Sequence, residues 1–423
     1  ALQVSGTTNL NTASVSTSGS QTYGGAVALG ADTILASSGS GAIGFGTTVN
    51  GAHALTVNTG GTTSFAGAVG GTTALTSLTT DAAGITMLGG NVNTTGAQTY
   101  NDAVTLGGNA TLASTGSGAI NLASTVDGAH NLTVTTGGAS SFGGAVGATT
   151  ALTGLTTNSG TFSAGNVTVN GPLSVTTTAG DIAQSAGVFT VSGTSTFNAG
   201  SNAITLGSLN AFTGTVNLTG GITQITNGGD LILGTLNTGA LTAISTGALN
   251  LGSGTITGAL SATSNGLLSE SGGLNVTGPA SFTQNGSGAD VDLSQANDFH
   301  GGVTISGAAI NNLSLKSIDA ALTTLNLPAS VAGNLTLNYT NAALTVPVMG
   351  VGGNLAVSAG GGITINGNVG TGGTQTYTNA VTLGSDVALT STGNGAINFA
   401  STVDGAHNLA VNTGGLTTFG GAV

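Results

Sequence analysis

Four histidines, thirteen acids and one lysine are all that this 423-residue chain offers for ionic chemistry. Three of the histidines, His53, His130 and His407, share the setting Asn/Asp-Gly-Ala-His. Asp127 before His130 and Asp404 before His407 would suit a metal pair. In the first copy Asn50 replaces the acid and no third ligand recurs nearby, so the motif reads as a glycine turn followed by a partly exposed histidine. The densest acidic stretch is GADVDLSQAND, with Asp290, Asp292 and Asp298. Asp290 and Asp292 would leave a strand on the same side, and calcium favours clustered oxygen ligands. The stretch matches neither an EF-hand loop nor the glycine-aspartate calcium repeat, and a solvated acidic patch is the favoured reading.

Carbohydrate-cleaving chemistry needs paired carboxylates in hydrolases and cationic groups to stabilise developing negative charge. Lys316 is the only basic residue and Arg is absent, which argues against a lyase. The Asp residues do not recur as a pair except where a whole unit recurs. Tyr23, Tyr100 and Tyr377 hold one repeat position and Phe65, Phe142 and Phe419 another. Stacked aromatics can bind sugars, but core packing is the favoured role. No residue is assigned a catalytic, cofactor-binding or metal-ligating role, and the chain does not read as an enzyme.

Glycine turns and short apolar bursts must position these residues. The chain has 77 Gly, roughly 18% against about 7% in an average protein, which disfavours helix. Disorder fails because Val, Leu and Ile alternate throughout and mean hydropathy is +0.36. Val104/Leu106, Ala110/Leu112, Ile120/Leu122 and Leu132/Val134 show the period-two spacing of strands burying one face. Gly107-Gly108, Gly116–Gly118, Asp127-Gly128 and Gly137-Gly138 punctuate them as turns. Asn at turns is expected to form amide ladders between stacked units. The net charge of −12 leaves no cationic footprint for nucleic acid or an anionic membrane surface. No apolar run reaches the length of a membrane span, and no Cys is present to form disulfides.

Internal repetition organises the whole. The unit at 98–146 recurs without a gap at 21–69, displaced by 77 residues, and at 375–423. A second repeat type at 181–220 and 267–307 shares Asn-x-Phe-x-Gly, at Asn210–Gly214 and Asn297–Gly301. Asn-Gly and Asp-Gly hairpin signals are too few for a meander. The expected fold is therefore all-β, a parallel β-solenoid with about 19–22 residues per rung. A 77-residue unit would divide into about four coils of roughly 19 residues. The chain reads as one continuous solenoid over 1–423, a window of a longer protein, with any departure from regularity placed between Ala308 and Pro347.

The QTYNDAVTLG and Asn-x-Phe-Thr-Gly-x-Val segments resemble the repeats of filamentous-haemagglutinin-like exoproteins and autotransporter adhesins of Gram-negative bacteria. That resemblance implies a right-handed parallel β-helix, export through an outer-membrane pore and a role outside the cell, at the bacterial surface. The expected function is a structural fibre or stalk serving adhesion or cell–cell and matrix cohesion. Its partners would be copies of itself, end to end or side by side, and other cells or surface glycans. Neither nucleic acid nor membrane insertion is expected, and no cofactor. The alternative is a passenger that binds one host or glycan ligand at a discrete site.

Overall fold

The computed structural model describes residues 1–307, 309–321 and 324–423. They form two compact units, Ala1–Gly221 and Ile222–Val423. Every regular element among the described residues is a strand, and within each unit the strands stack in parallel as a β-solenoid, about 21 turns in all.

In the first unit each turn lays short strands on three faces. The first face stacks Leu2–Val4, Gln21–Tyr23, Ile43–Phe45, Thr62–Phe65, Ile85–Leu88, Ala103–Leu106 and Val126–Asp127. The second runs through Thr8–Leu10, Val27–Leu29 and Val49–Asn50, bridges Val69, and continues into Val92–Thr94, Ala110–Ser114 and Asn131–Thr136. The third stacks Ser14–Thr17, Thr33–Ser37, Ala54–Thr59, Ser77–Thr80, Gln98–Tyr100, Ile120–Leu122 and Ala139–Phe142. The step per turn varies: Ile85 pairs with Ala103, whereas Thr62 pairs with Ile85.

This register corrects the expected division of the repeat. Gln21 lies on the first face, but its equivalent Gln98 lies on the third. Between them the chain takes eleven steps of one face each, through the positions of Val27, Thr33, Ile43, Val49, Leu55, Thr63, Val69, Leu78, Thr86 and Val92. The 77-residue repeat is thus three and two-thirds turns, not four. The turns of this unit vary in length, from the step Ile85 to Ala103 to the longer step Thr62 to Ile85, and on average exceed the expected coil, so an identical sequence returns one face out of phase.

In the second unit two ladders run side by side up to its middle. One stacks Thr223–Asn227, Leu241–Ser245, Leu260–Ser264, Ala280–Gln284, Val303–Gly307 and Leu325–Asn326. Another climbs from Leu231 through Val291–Phe299, Leu313–Ser317, Leu335–Tyr339 and Gln375–Tyr377 to Thr417–Phe419. A third ladder is traced as far as the end of Val291–Phe299. New ones begin at Ser330–Val331 and Leu344–Val346. The irregularity begins before the expected stretch from Ala308 to Pro347, with a register shift between Leu293 and Asn297, and the new ladders start inside it; Ala308, Leu322 and Thr323 of that stretch lie outside the described residues.

Inward side chains pack on their equivalents one turn away. Tyr23, Phe45 and Phe65 stack with ring centroids 5.4 and 5.0 Å apart, and Tyr377, Phe399 and Phe419 at 5.2 and 5.1 Å. In the middle copy Leu122 takes the central place between Tyr100 and Phe142. The repeated Gln-x-Tyr adds a buried polar tie. Gln21, Gln98 and Gln375 are fully buried. Each Oε1 accepts the hydroxyl of Tyr23, Tyr100 or Tyr377 (2.9, 3.0 and 3.0 Å). Each Nε2 donates to a carbonyl fifteen residues ahead, of Ala36, Ala113 or Thr390, and to one six residues behind, of Val15, Val92 or Val369. Burial pushes the Tyr100 and Tyr377 hydroxyls above the usual tyrosine range. Five of the six repeated aromatics are core, and Phe419 in the last turn is 41% exposed.

At the corners Asn and Asp tie one turn to the next, by a contact other than the expected amide ladder. The side-chain oxygen accepts a backbone N–H one turn ahead. Asp290 holds Asn312, Asn312 holds Asn334, Asn334 holds Asn354 and Asn354 holds Thr374, at 2.8–2.9 Å.

The turn ahead of each repeated histidine needs glycine. Gly51, Gly128 and Gly405 have φ of 135°, 137° and 130°. A Cβ on Gly128 would lie 2.6 Å from the Leu106 carbonyl oxygen. Gly370, by contrast, has open space where a Cβ would go. Gly128→Ala should therefore destabilise the fold by about 1–3 kcal/mol, and Gly370→Ala should stay within about 0.5 kcal/mol. Urea denaturation of both variants checks this, and equal midpoints would refute the assignment of strain to Gly128.

Candidate functional site

The histidine motif does not bring each His to its own Asp. Asp127 Oδ1 accepts the backbone N–H groups of Thr149 and Thr150 (2.8 and 3.0 Å), and Asn50 accepts those of Thr72 and Thr73 in the same way. His53 instead meets Asp32 of the turn below (Nδ1 to Oδ1, 3.3 Å), and His407 meets Asp386 (3.5 Å). In the middle copy that place is taken by Asn109, which accepts the N–H of Asn131. The backbone N–H of Ala54 on Asp32, and that of Asn408 on Asp386, hold both carboxyls below the usual range. These pairs tie neighbouring turns.

The acidic stretch also disperses. Asp290 is held by Asn311 and Asn312, and Asp292 accepts the N–H of Ser294. Asp298 alone turns to a histidine, at the end of the strand Val291–Phe299. His300 Nε2 lies 3.4 Å from Asp298 Oδ2, and its Nδ1 lies 2.8 Å from Oδ2 of Asp319 on the following turn. One ligand atom from each residue lies within 4.8 Å of the other two. Among the described residues this is the group of three or more whose atoms could hold a metal ion. Backbone bonds fix its frame: His300 N–H donates to the Val276 carbonyl (3.0 Å) and Ile318 N–H to that of Asn297 (2.7 Å). Asp319 is 6% exposed, and its Oδ1 accepts the N–H of Ala321. The sequence reading did not single out His300 and Asp319. A signal was there in the second repeat type: where the first copy has Asn210-Ala211-Phe212-Thr213-Gly214, the second has Asn297-Asp298-Phe299-His300-Gly301.

The same corner carries a buried acid. In the first copy Asn210 Oδ1 accepts the N–H of Phe189 (2.8 Å) and the amide of Gln184 (2.6 Å). In the second, Asn297 Oδ1 accepts the N–H of Leu274 (2.9 Å), and its amide donates to Glu270 Oε1 (2.8 Å). Glu270 thus replaces Gln184. Its Oε1 also accepts the N–H of Gln295 (2.8 Å), while its buried Oε2 has no partner. Burial pushes the Glu270 carboxyl up to about 7; the bonds from Asn297 and Gln295 oppose this, and Asp292 adds to it.

Stacked parallel turns, repeated core ties and recurring corner motifs define a repeat protein of the β-solenoid class. Three segments, 149–219, 238–306 and 332–395, match a family described as repeats of unknown function (DUF5649). The first two contain nearly all of the two copies of the second repeat type. No curated protein and no solved structure matches the chain.

Glu270 gives a signed pH dependence. Its carboxyl titrates near 4.5 when unfolded and is pushed up to about 7 when folded. The folded chain therefore holds the extra proton between those values. The stability this adds, about 3 kcal/mol at most, is fully present below about pH 4.5 and is lost as pH rises through 7. Glu270→Gln should match the parent in urea at pH 4.5 and exceed it at pH 8. Parallel pH profiles of the two proteins would show that this carboxyl does not govern the trend.

Proposed function

We propose that this chain is a structural element of a secreted bacterial surface protein, a fibre or stalk that serves adhesion or cohesion between cells and within their matrix. It acts through copies of itself, side by side or end to end, and through other cells or surface glycans. Export through an outer-membrane pore, as in filamentous-haemagglutinin-like proteins, belongs to the same reading. The observation that carries it is the way each turn is held. Backbone ladders, stacked apolar columns and the Gln-x-Tyr tie bind a turn to its immediate neighbours and leave long rows of Thr, Ser, Asn and Gly outside. Such a stack gains length without needing a larger core. The out-of-phase return of the 77-residue repeat turns the same outward groups to different sides, which suits many weak lateral contacts better than one binding stripe.

Beads coated with the purified chain should clump as coating density rises, with no added ligand. Dispersed beads together with saturable binding of one glycan on an array would replace this reading with that of a passenger carrying a discrete site.

A further inference from the structure

The cluster at Asp298, His300 and Asp319 is out of character with the rest of the molecule. The chain has thirteen acids and four histidines among 423 residues, yet three of these lie within 4.8 Å of one another. They come from two successive turns, and two of them replace the Ala211 and Thr213 of the sister repeat. Asp319 is almost fully buried, an expensive place for a carboxylate unless a partner compensates it. Its partner is one nitrogen of an imidazole whose other nitrogen faces a second carboxylate.

We propose that this corner binds a divalent transition-metal ion of the zinc class, with His300 Nε2 and Asp298 as protein ligands and Asp319 as the residue that orients the imidazole. The two ring nitrogens point apart, so a single ion takes only one of them. Nδ1 is already engaged by the buried Asp319 at 2.8 Å, which leaves Nε2 for the ion. Nε2 and Asp298 are on the solvent side: the His300 and Asp298 side chains are 47% and 31% exposed, so an ion can arrive and water can complete its shell. A carboxylate on the far nitrogen fixes the tautomer and raises the basicity of the metal-binding one. Nitrogen ligation selects zinc, copper or nickel over calcium and magnesium, which take oxygen shells. This inference is independent of the proposed structural role.

The test is calorimetric titration of the whole chain with zinc chloride alone, and with calcium chloride for comparison. One saturable zinc site per chain is expected, with no calcium counterpart. It should be lost in His300→Gln and in Asp298→Asn, each checked by circular dichroism to retain the parent fold. Asp319→Asn should weaken zinc about 10- to 100-fold, and added zinc should raise its thermal midpoint less than it raises the parent's. Equal zinc heats in the parent and His300→Gln would mean an adventitious ion only, at the other histidines, and would overturn the proposal. Unchanged affinity in Asp319→Asn would overturn the orienting role and leave Asp319 as a metal-independent clamp.

Discussion

Everything in this molecule depends on one requirement: each backbone N–H and C=O must find its counterpart one turn away. With almost no charge to form ion pairs and no disulfides, the chain has little else with which to hold its turns in register. A buried backbone group left unpaired costs on the order of a hydrogen bond and its desolvation. The parallel ladders meet the demand along the strands. The corners are harder, because there the backbone bends away from its neighbour. The side chains that recur at corners are those that can substitute for a missing carbonyl: the Asp290, Asn312, Asn334 and Asn354 series, and Asn50 with Asp127 in the histidine turn.

The same requirement explains the polar groups inside. A glutamine in an apolar core is costly unless every lone pair and proton is used. In Gln-x-Tyr the amide bonds two carbonyls and the oxygen takes the phenol, so one side chain joins strands six residues behind and fifteen ahead. Glu270 breaks this rule. It occupies the place of Gln184 but supplies a carboxyl whose second oxygen has no donor. The irregular corner of the second unit gathers the molecule's chemistry: the buried acid, the doubly flanked histidine and the change of ladder partners occur close together along the chain.

Much of this was legible in the sequence. Period-two alternation and the gapless 77-residue repeat specify parallel stacked strands, and five of the six repeated aromatic positions read correctly as core. The average length of a turn was legible, at about 19–22 residues per rung, but not its variation from turn to turn, because alternation marks strands and not how many residues a corner consumes. The insertion around Gly70–Thr76, for example, lengthens one turn without disturbing the pattern on either side. Nor could sequence spacing join His53 to Asp32, or His300 to Asp319. Those partners are one turn apart, and a turn whose length varies cannot be counted along the chain. The Asp290, Asp292 and Asp298 grouping was proximity in sequence only, since outward side chains on one strand separate as soon as each finds a partner on a neighbouring turn.

The fractional pitch of the first repeat has a further meaning for how such a chain can change. Adding or deleting one 77-residue unit leaves every ladder intact, because each new strand still meets a strand of the same kind. All that follows is nevertheless rotated by a third of a revolution. Three such units make eleven whole turns and restore the original heading. The number of copies therefore acts as a three-position dial. It sets the compass direction of whatever lies beyond it, and leaves the way the turns are joined unchanged.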